Sequence, residues 1–192
     1  MKLSLPAHAV LLPCPVLIIG TYGSDGRPNM MNAAYGGIAS FKPPSVCVSL
    51  REATLSHHNI KETGAFTVNI PSEKYVREAD FVGMVSGREV DKFKETGLTP
   101  EKSKLVNAPI VKEFPFALEC KLVREVDCGM HTMFIGEILG MVADSEVLSP
   151  NQLPDIEKVR PLLFGSQGSM AYYGVGDKLG KAHSVGKELK KS

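Results

Sequence analysis

Over much of the chain apolar and polar residues alternate with the period of a β-strand, and short stretches of helical period are set between the strands. Residues 15–22 (PVLIIGTY) are an apolar, β-branched run. Ser24-Asp25-Gly26 supplies a tight turn, and residues 28–41 (PNMMNAAYGGIASF) return as a second strand, which makes an antiparallel hairpin. Beyond Pro43-Pro44, Val46, Val48 and Leu50 fall on one face of a third strand and Ser45, Cys47 and Ser49 on the other. Residues 54–63 (TLSHHNIKET) read as a helix capped by Thr54 or Ser56 and ended at Lys61 and Gly64, with AFTVNI (65–70) as the next strand.

Helical spacing returns over residues 72–86, where Val76, Ala79, Phe81 or Val82, and Val85 share a face before Gly87. A shorter helical piece, VDKFKETGL, closes at Gly97, and Thr99-Pro100-Glu101 is a turn or a fresh helix start. The clearest hairpin of the second half pairs residues 116–126 with residues 131–142 across a turn from Asp127 to Met130. Gly136 and Gly140 mark bulges or bends in its returning strand. Residues 7–15, broken by Pro13 and Pro15, suit an irregular or edge segment, RPLLFG is a last short strand, and the basic residues 176–192 read as a flexible tail.

At least six strands, hairpin turns and only short helices predict a mainly β fold, an antiparallel barrel with helical insertions. A doubly wound sheet would need strand and helix to alternate throughout, and neither a GxGxxG nor a GxxxxGK[ST] loop is present. The 192 residues suit a single domain. A net charge of +1 gives no bulk attraction to nucleic acid or to an anionic membrane, so neither is expected as a partner. No run reaches the roughly 18 apolar residues of a membrane span. The proline-broken N-terminus does not read as a signal peptide. The four cysteines show no zinc spacing, so no metal is expected, and a reducing, cytoplasmic setting fits them best.

Residues 27–70 concentrate the polar groups that look placed rather than scattered. Asn29 and Asn32 lie among Ala33, Ala34, Gly36 and Gly37, small residues that let a flat ligand or a second backbone come close. A capped helix follows, and its N-terminus favours an anion. In order and spacing, PVLIIGTYGSDGRPNMMNAAYGGIASFKPPSVCVSL, TLSHHNI, ETGAFTVNIP, SGREVDKFKETGLT, NAPIV, LECKL and GMHTMFIGEI resemble the flavin reductase-like family of FMN-binding split-barrel proteins, and within it the flavoredoxin branch. The resemblance implies a six-stranded split β-barrel of Greek-key type, one non-covalent FMN per subunit, and a homodimer. It also implies NADH or NADPH as electron donor, with electrons passed to a flavin, a metal complex or a protein acceptor. The alternative is an FMN electron carrier reduced by a partner, without a nucleotide site of its own.

By the same resemblance Met31, Asn32, Ala33 and Ala34 match the run that meets the flavin ring. Ser49, Leu50 and Arg51 match the strand end beside the ribityl chain. Thr54, Ser56, His57 and Asn59 match the phosphate region, and Ser86, Lys92 and, more weakly, Arg88 a second cationic and hydroxyl set. Each has a plainer reading: Asn32 as a satisfied strand amide, Thr54 as an N-cap, Lys92 and Arg88 as solvated charges. No residue is a certain catalyst. His131 matches a histidine near the nicotinamide, but its turn reads Gly129-Met130-His131 and lacks the acidic neighbour usual in the family.

Overall fold

The run from Val16 to Ile19 is apolar without alternation because both of its faces are covered. A computed structural model describes residues 1–189. Its elements are β1 (Cys14–Pro15), β2 (Leu17–Tyr22), β3 (Pro28–Ala33), β4 (Gly36–Phe41), β5 (Pro44–Arg51), α1 (Leu55–Thr63), β6 (Ala65–Ile70) and α2 (Val76–Met84). There follow α3 (Lys92–Thr96), β7 (Pro100–Lys102), β8 (Pro109–Val111), β9 (Phe116–Asp127), β10 (His131–Ala143), α4 (Ile156–Val159), β11 (Leu163–Phe164), α5 (Ser166–Ser169) and β12 (Tyr172–Tyr173). Leu17 and Ile19 join Val48, Phe66, Leu118 and Phe134 in one core, and Ile60 of α1 plugs it. Val16 and Ile18 face outward into a second core with Met30, Ala79 and Val82 of α2, and Phe93 of α3.

The main sheet has seven antiparallel strands in the order β3-β2-β6-β9-β10-β5-β4. The fold is mainly β as expected, but the sheet has seven strands where the resemblance implied a barrel of six, and it does not close into a barrel. The predicted return strand over residues 28–41 is two strands: β3 pairs with β2 at one edge of the sheet and β4 with β5 at the other. Only Ala34 and Tyr35 join them, so the sheet curls until its edges meet. The ladder does not close there: the bond from the Ser49 N–H to the Tyr35 carbonyl (2.8 Å) only carries the β4–β5 pairing one residue further. At this crossing a Cβ on Gly36 would lie 2.6 Å from the Cys47 carbonyl oxygen and 2.8 Å from Leu17, which is why a glycine follows the break.

Elsewhere punctuation in the sequence sets the elements. Gly26 takes a positive φ in the β2–β3 turn, and Thr54 and Gly64 cap α1. Asp91 and Gly97 cap α3 in the same way. The register shifts in β10 fall at Ile135/Gly136 and Ile138/Gly140, at the two glycines expected to bulge. Two readings need correction. Pro100 begins a short strand paired with β8 rather than a turn or helix start, and the helix expected over residues 72–86 divides into a 3₁₀ turn at Glu73–Tyr75 and α2. Of the predicted tail, residues 176–187 are exposed and Lys187–Leu189 form a 3₁₀ turn, while residues 190–192 lie outside the described residues. No helix among the described residues is long and apolar enough to cross a membrane.

Candidate functional site

The open seam between β3 and β5 leaves two concavities side by side. The first, of about 270 Å³, lies where the ends of β3 and β5, the start of α1 and the end of α2 converge. Met31, Arg51, Thr54, Ser56, Ser86 and Lys92 all line it, so six positions singled out in the sequence meet in one place.

Lys92 sets the chemistry of this cavity. It begins α3 and is only 5% exposed, and its ammonium donates to the Val82 carbonyl at 2.7 Å. Among the described residues no carboxylate pairs with it, and burial pulls its pKa down to about 8. A buried cation satisfied by one carbonyl keeps donors for an incoming anion. Across the cavity stands the N-terminus of α1. Its cap Thr54 accepts from the His57 N–H (3.3 Å) and donates to the Arg51 carbonyl (2.9 Å), so its hydroxyl is already engaged. The N–H groups of Leu55 and Ser56 have no partner within the helix and, with the helix dipole, favour negative charge.

The second concavity is an open trough of about 540 Å³ beyond Ser49, with Ala34, Gly36 and Gly37 along it and residues 8–11 of the N-terminal arm as its outer wall. Ser49 and Arg51 share a face of β5 and stand roughly 7 Å apart at the usual strand rise, so cavity and trough are consecutive along the seam. Tyr35 stands at the trough, with the His131 ring in edge contact 5.6 Å away.

The remaining predicted positions lie elsewhere. Ala33 and Leu50 are buried in the barrel core. The Asn32 amide is spent on the Ala79 carbonyl of α2 (2.9 Å) and the Tyr172 hydroxyl (3.3 Å), so its side chain fastens α2 to β3. His57 is buried against Phe134 with Nε2 2.9 Å from the Thr132 hydroxyl, and burial, with help from Lys61, lowers its pKa and keeps the ring neutral. Asn59 donates to Thr21 and, with Arg88, borders a separate polar cleft of about 410 Å³ on the far side of α1.

One residue outside the predicted set is central. Asn29 is buried, donates to the Ser56 hydroxyl at 2.8 Å, and lines both the Lys92 cavity and the polar cleft. The glycine at position 87 lets the turn after α2 close onto its side-chain oxygen. Strand parity was the available signal: Asn29 lies on the face of β3 that carries Met31 and Ala33, whereas Asn32 lies with Met30 under α2.

A rolled antiparallel sheet with a buried lysine facing a helix N-terminus and an adjoining trough along its open seam defines the class as a mainly β fold with a candidate ligand site. Residues 9–171 match the family described as Flavin reductase like domain, and the chain belongs to that family. Its structure is similar to that of flavoredoxin from Desulfovibrio vulgaris (Miyazaki F), with 49% sequence identity and a TM-score of 0.92 over 97% of this chain and 100% of that one. Among curated relatives, an uncharacterized protein of Archaeoglobus fulgidus is 37% identical over 113 residues, which span 59% of this chain and 64% of that protein's length. A ferric-chelate reductase (NAD(P)H) of the same organism is 32% identical over 69% of this chain and 79% of its own.

Proposed function

We propose that this chain is an FMN-binding oxidoreductase of the flavin reductase and flavoredoxin type, which takes electrons from NADH or NADPH and passes them through FMN to a flavin, a metal complex or a protein acceptor. The observation that carries the reading is Lys92, a buried cation without a carboxylate partner, facing the N-terminus of α1 across a cavity that opens along the seam. The phosphate of FMN fits the donor set: the Lys92 ammonium, the free N–H groups of the first turn of α1, and the Ser56 and Ser86 hydroxyls. When bound, FMN supplies hydride and electron transfer, which no side chain here provides.

The work of the protein is then binding and orientation. Asn29 holds the Ser56 hydroxyl, and Thr54 sets the pitch of α1, so the donors are fixed before a ligand arrives. Met31 and Ala34, with Arg51 and Ser49 opposite, line the concavities along which a ring would lie, and the neutral His57 needs no part in the chemistry. Support for nicotinamide use comes from the family and from the relative named as a ferric-chelate reductase (NAD(P)H). Anaerobic mixing of the FMN-loaded protein with NADH or NADPH should bleach the oxidised flavin band. A band that persists at millimolar nucleotide would leave an electron carrier reduced by a partner protein.

A further inference from the structure

We propose that Lys92 is a covalent modification site: in the FMN-free chain its amine is acylated by acyl phosphates, whose phosphate takes the seat at the N-terminus of α1. The proposal deepens the FMN reading of the same cavity, because FMN and the acyl phosphate compete for one seat. At the start of the nine-residue α1 the N–H groups of Leu55 and Ser56 have no partner within the helix, and both residues line the cavity. The Ser56 hydroxyl accepts from Asn29 at 2.8 Å and so keeps its own hydrogen for an incoming anion. Arg51 and Ser86 add donors around it. Among the described residues no Asp or Glu lines this cavity, so an anion there meets no opposing charge.

What sets the cavity apart from a plain phosphate seat is the amine. Lys92 is buried yet lines the cavity, and its ammonium has the Val82 carbonyl as its one partner at 2.7 Å. Burial among Met31, Leu55, Val82 and Val85 brings its pKa down to about 8. Near neutral pH roughly a tenth to a quarter of such amines are uncharged, against about one in a thousand for an exposed lysine. The neutral amine can donate to the Val82 carbonyl and still turn its lone pair into the cavity. A seated phosphate draws the proton back in part, so placement beside the acyl carbon carries the selectivity. The volume of about 270 Å³, that of roughly nine waters, admits a phosphate with a short acyl chain. The nitrogen attacks the acyl carbon, a C–N bond forms and the C–O bond to phosphate breaks. Inorganic phosphate leaves with the proton that the nitrogen gives up, and nothing is oxidised or reduced. The amide that results is uncharged, so FMN loses its cation.

The test treats the full chain, freed of FMN, with acetyl phosphate and, in parallel, with N-acetoxysuccinimide, an acetylating ester that has no phosphate. Peptide mass spectrometry compares acetyl occupancy at Lys92 with that at Lys94, an exposed lysine of the same helix. Acetyl phosphate should label Lys92 at least tenfold faster than Lys94, at a rate that saturates and that inorganic phosphate suppresses. With the ester that preference should fall at least tenfold. Labelling of Lys92 no faster than Lys94, or the same preference with both reagents, would overturn the proposal. Loading the chain with FMN should slow the labelling of Lys92 at least tenfold, and the acetylated chain should bind FMN at least tenfold more weakly. Selective labelling that proceeds unslowed beneath bound FMN would leave the acylation standing and put the flavin phosphate elsewhere, so that the FMN reading of this seat fails instead.

Discussion

Lys92 bears an electrostatic cost that only a ligand relieves. Below about pH 8 the folded and unfolded chains both hold its proton, and the folded chain carries the full penalty of a buried charge. Between about 8 and the ordinary value of 10.5 only the unfolded chain binds that proton, so the stability of the FMN-free protein should rise across this window. Affinity for FMN should move the opposite way, full below about pH 8 and falling above it by up to about tenfold per pH unit. Lys92→Met should weaken FMN binding by about 10–100-fold, the value of a charge-assisted contact, and flatten that pH profile. Fluorescence titration of FMN at pH 7 and pH 9 checks both, and an unchanged affinity in the variant would contradict the assignment. Residue types with a forced backbone role were legible: Thr54 as a cap, Gly26 and Gly64 at positive φ. The choice between Asn29 and Asn32 needed strand parity, and the inward turn of His57 needed the packing of Phe134 and Thr132, which are far away in sequence.

At the scale of elements, β10 shows how a local signal fixes a long-range fit. Gly136 lies in a bulge pressed against the core, where an added Cβ would come within 2.5 Å of Phe66 Cζ and 3.0 Å of Cys120 Cβ. Phe66 is fully buried and has no room to retreat, so Gly136→Ala should cost about 1–3 kcal/mol. Scanning calorimetry should show the midpoint lower by roughly 3–10 °C for a chain of this size, and an unchanged midpoint would mean that the core yields. The strands of the main sheet apart from the β3–β4 break, the helices α1 and α3, and both bulges were legible because glycines, caps and alternation mark them locally. The break at Ala34–Tyr35 was not. Neither residue is a turn former, the pattern runs on through both, and what divides the strand is its exchange of partner from β2 to β5 across the whole sheet.

At the scale of the molecule, that exchange of partner creates the site. Two consecutive strands on opposite edges curl the sheet, the seam between them stays unpaired, and α1, α2 and α3 close on one end of it with Lys92. Apolar side chains also remain in solvent, among them Ile38 and Phe41 of β4 and Leu139, Met141 and Val142 of β10. We propose that a second copy of the chain covers this surface, so light scattering on the FMN-loaded protein should give a dimer mass. A monomer mass with FMN still bound would count against a shared interface. The central claim, that the seam holds FMN by its phosphate, is tested most directly by titrating the protein with FMN and with riboflavin, which differ only in that group. The account predicts one FMN per chain and riboflavin at least about tenfold weaker, since only FMN engages Lys92 and the N-terminus of α1. Equal affinity for the two, or no uptake of either, would contradict it.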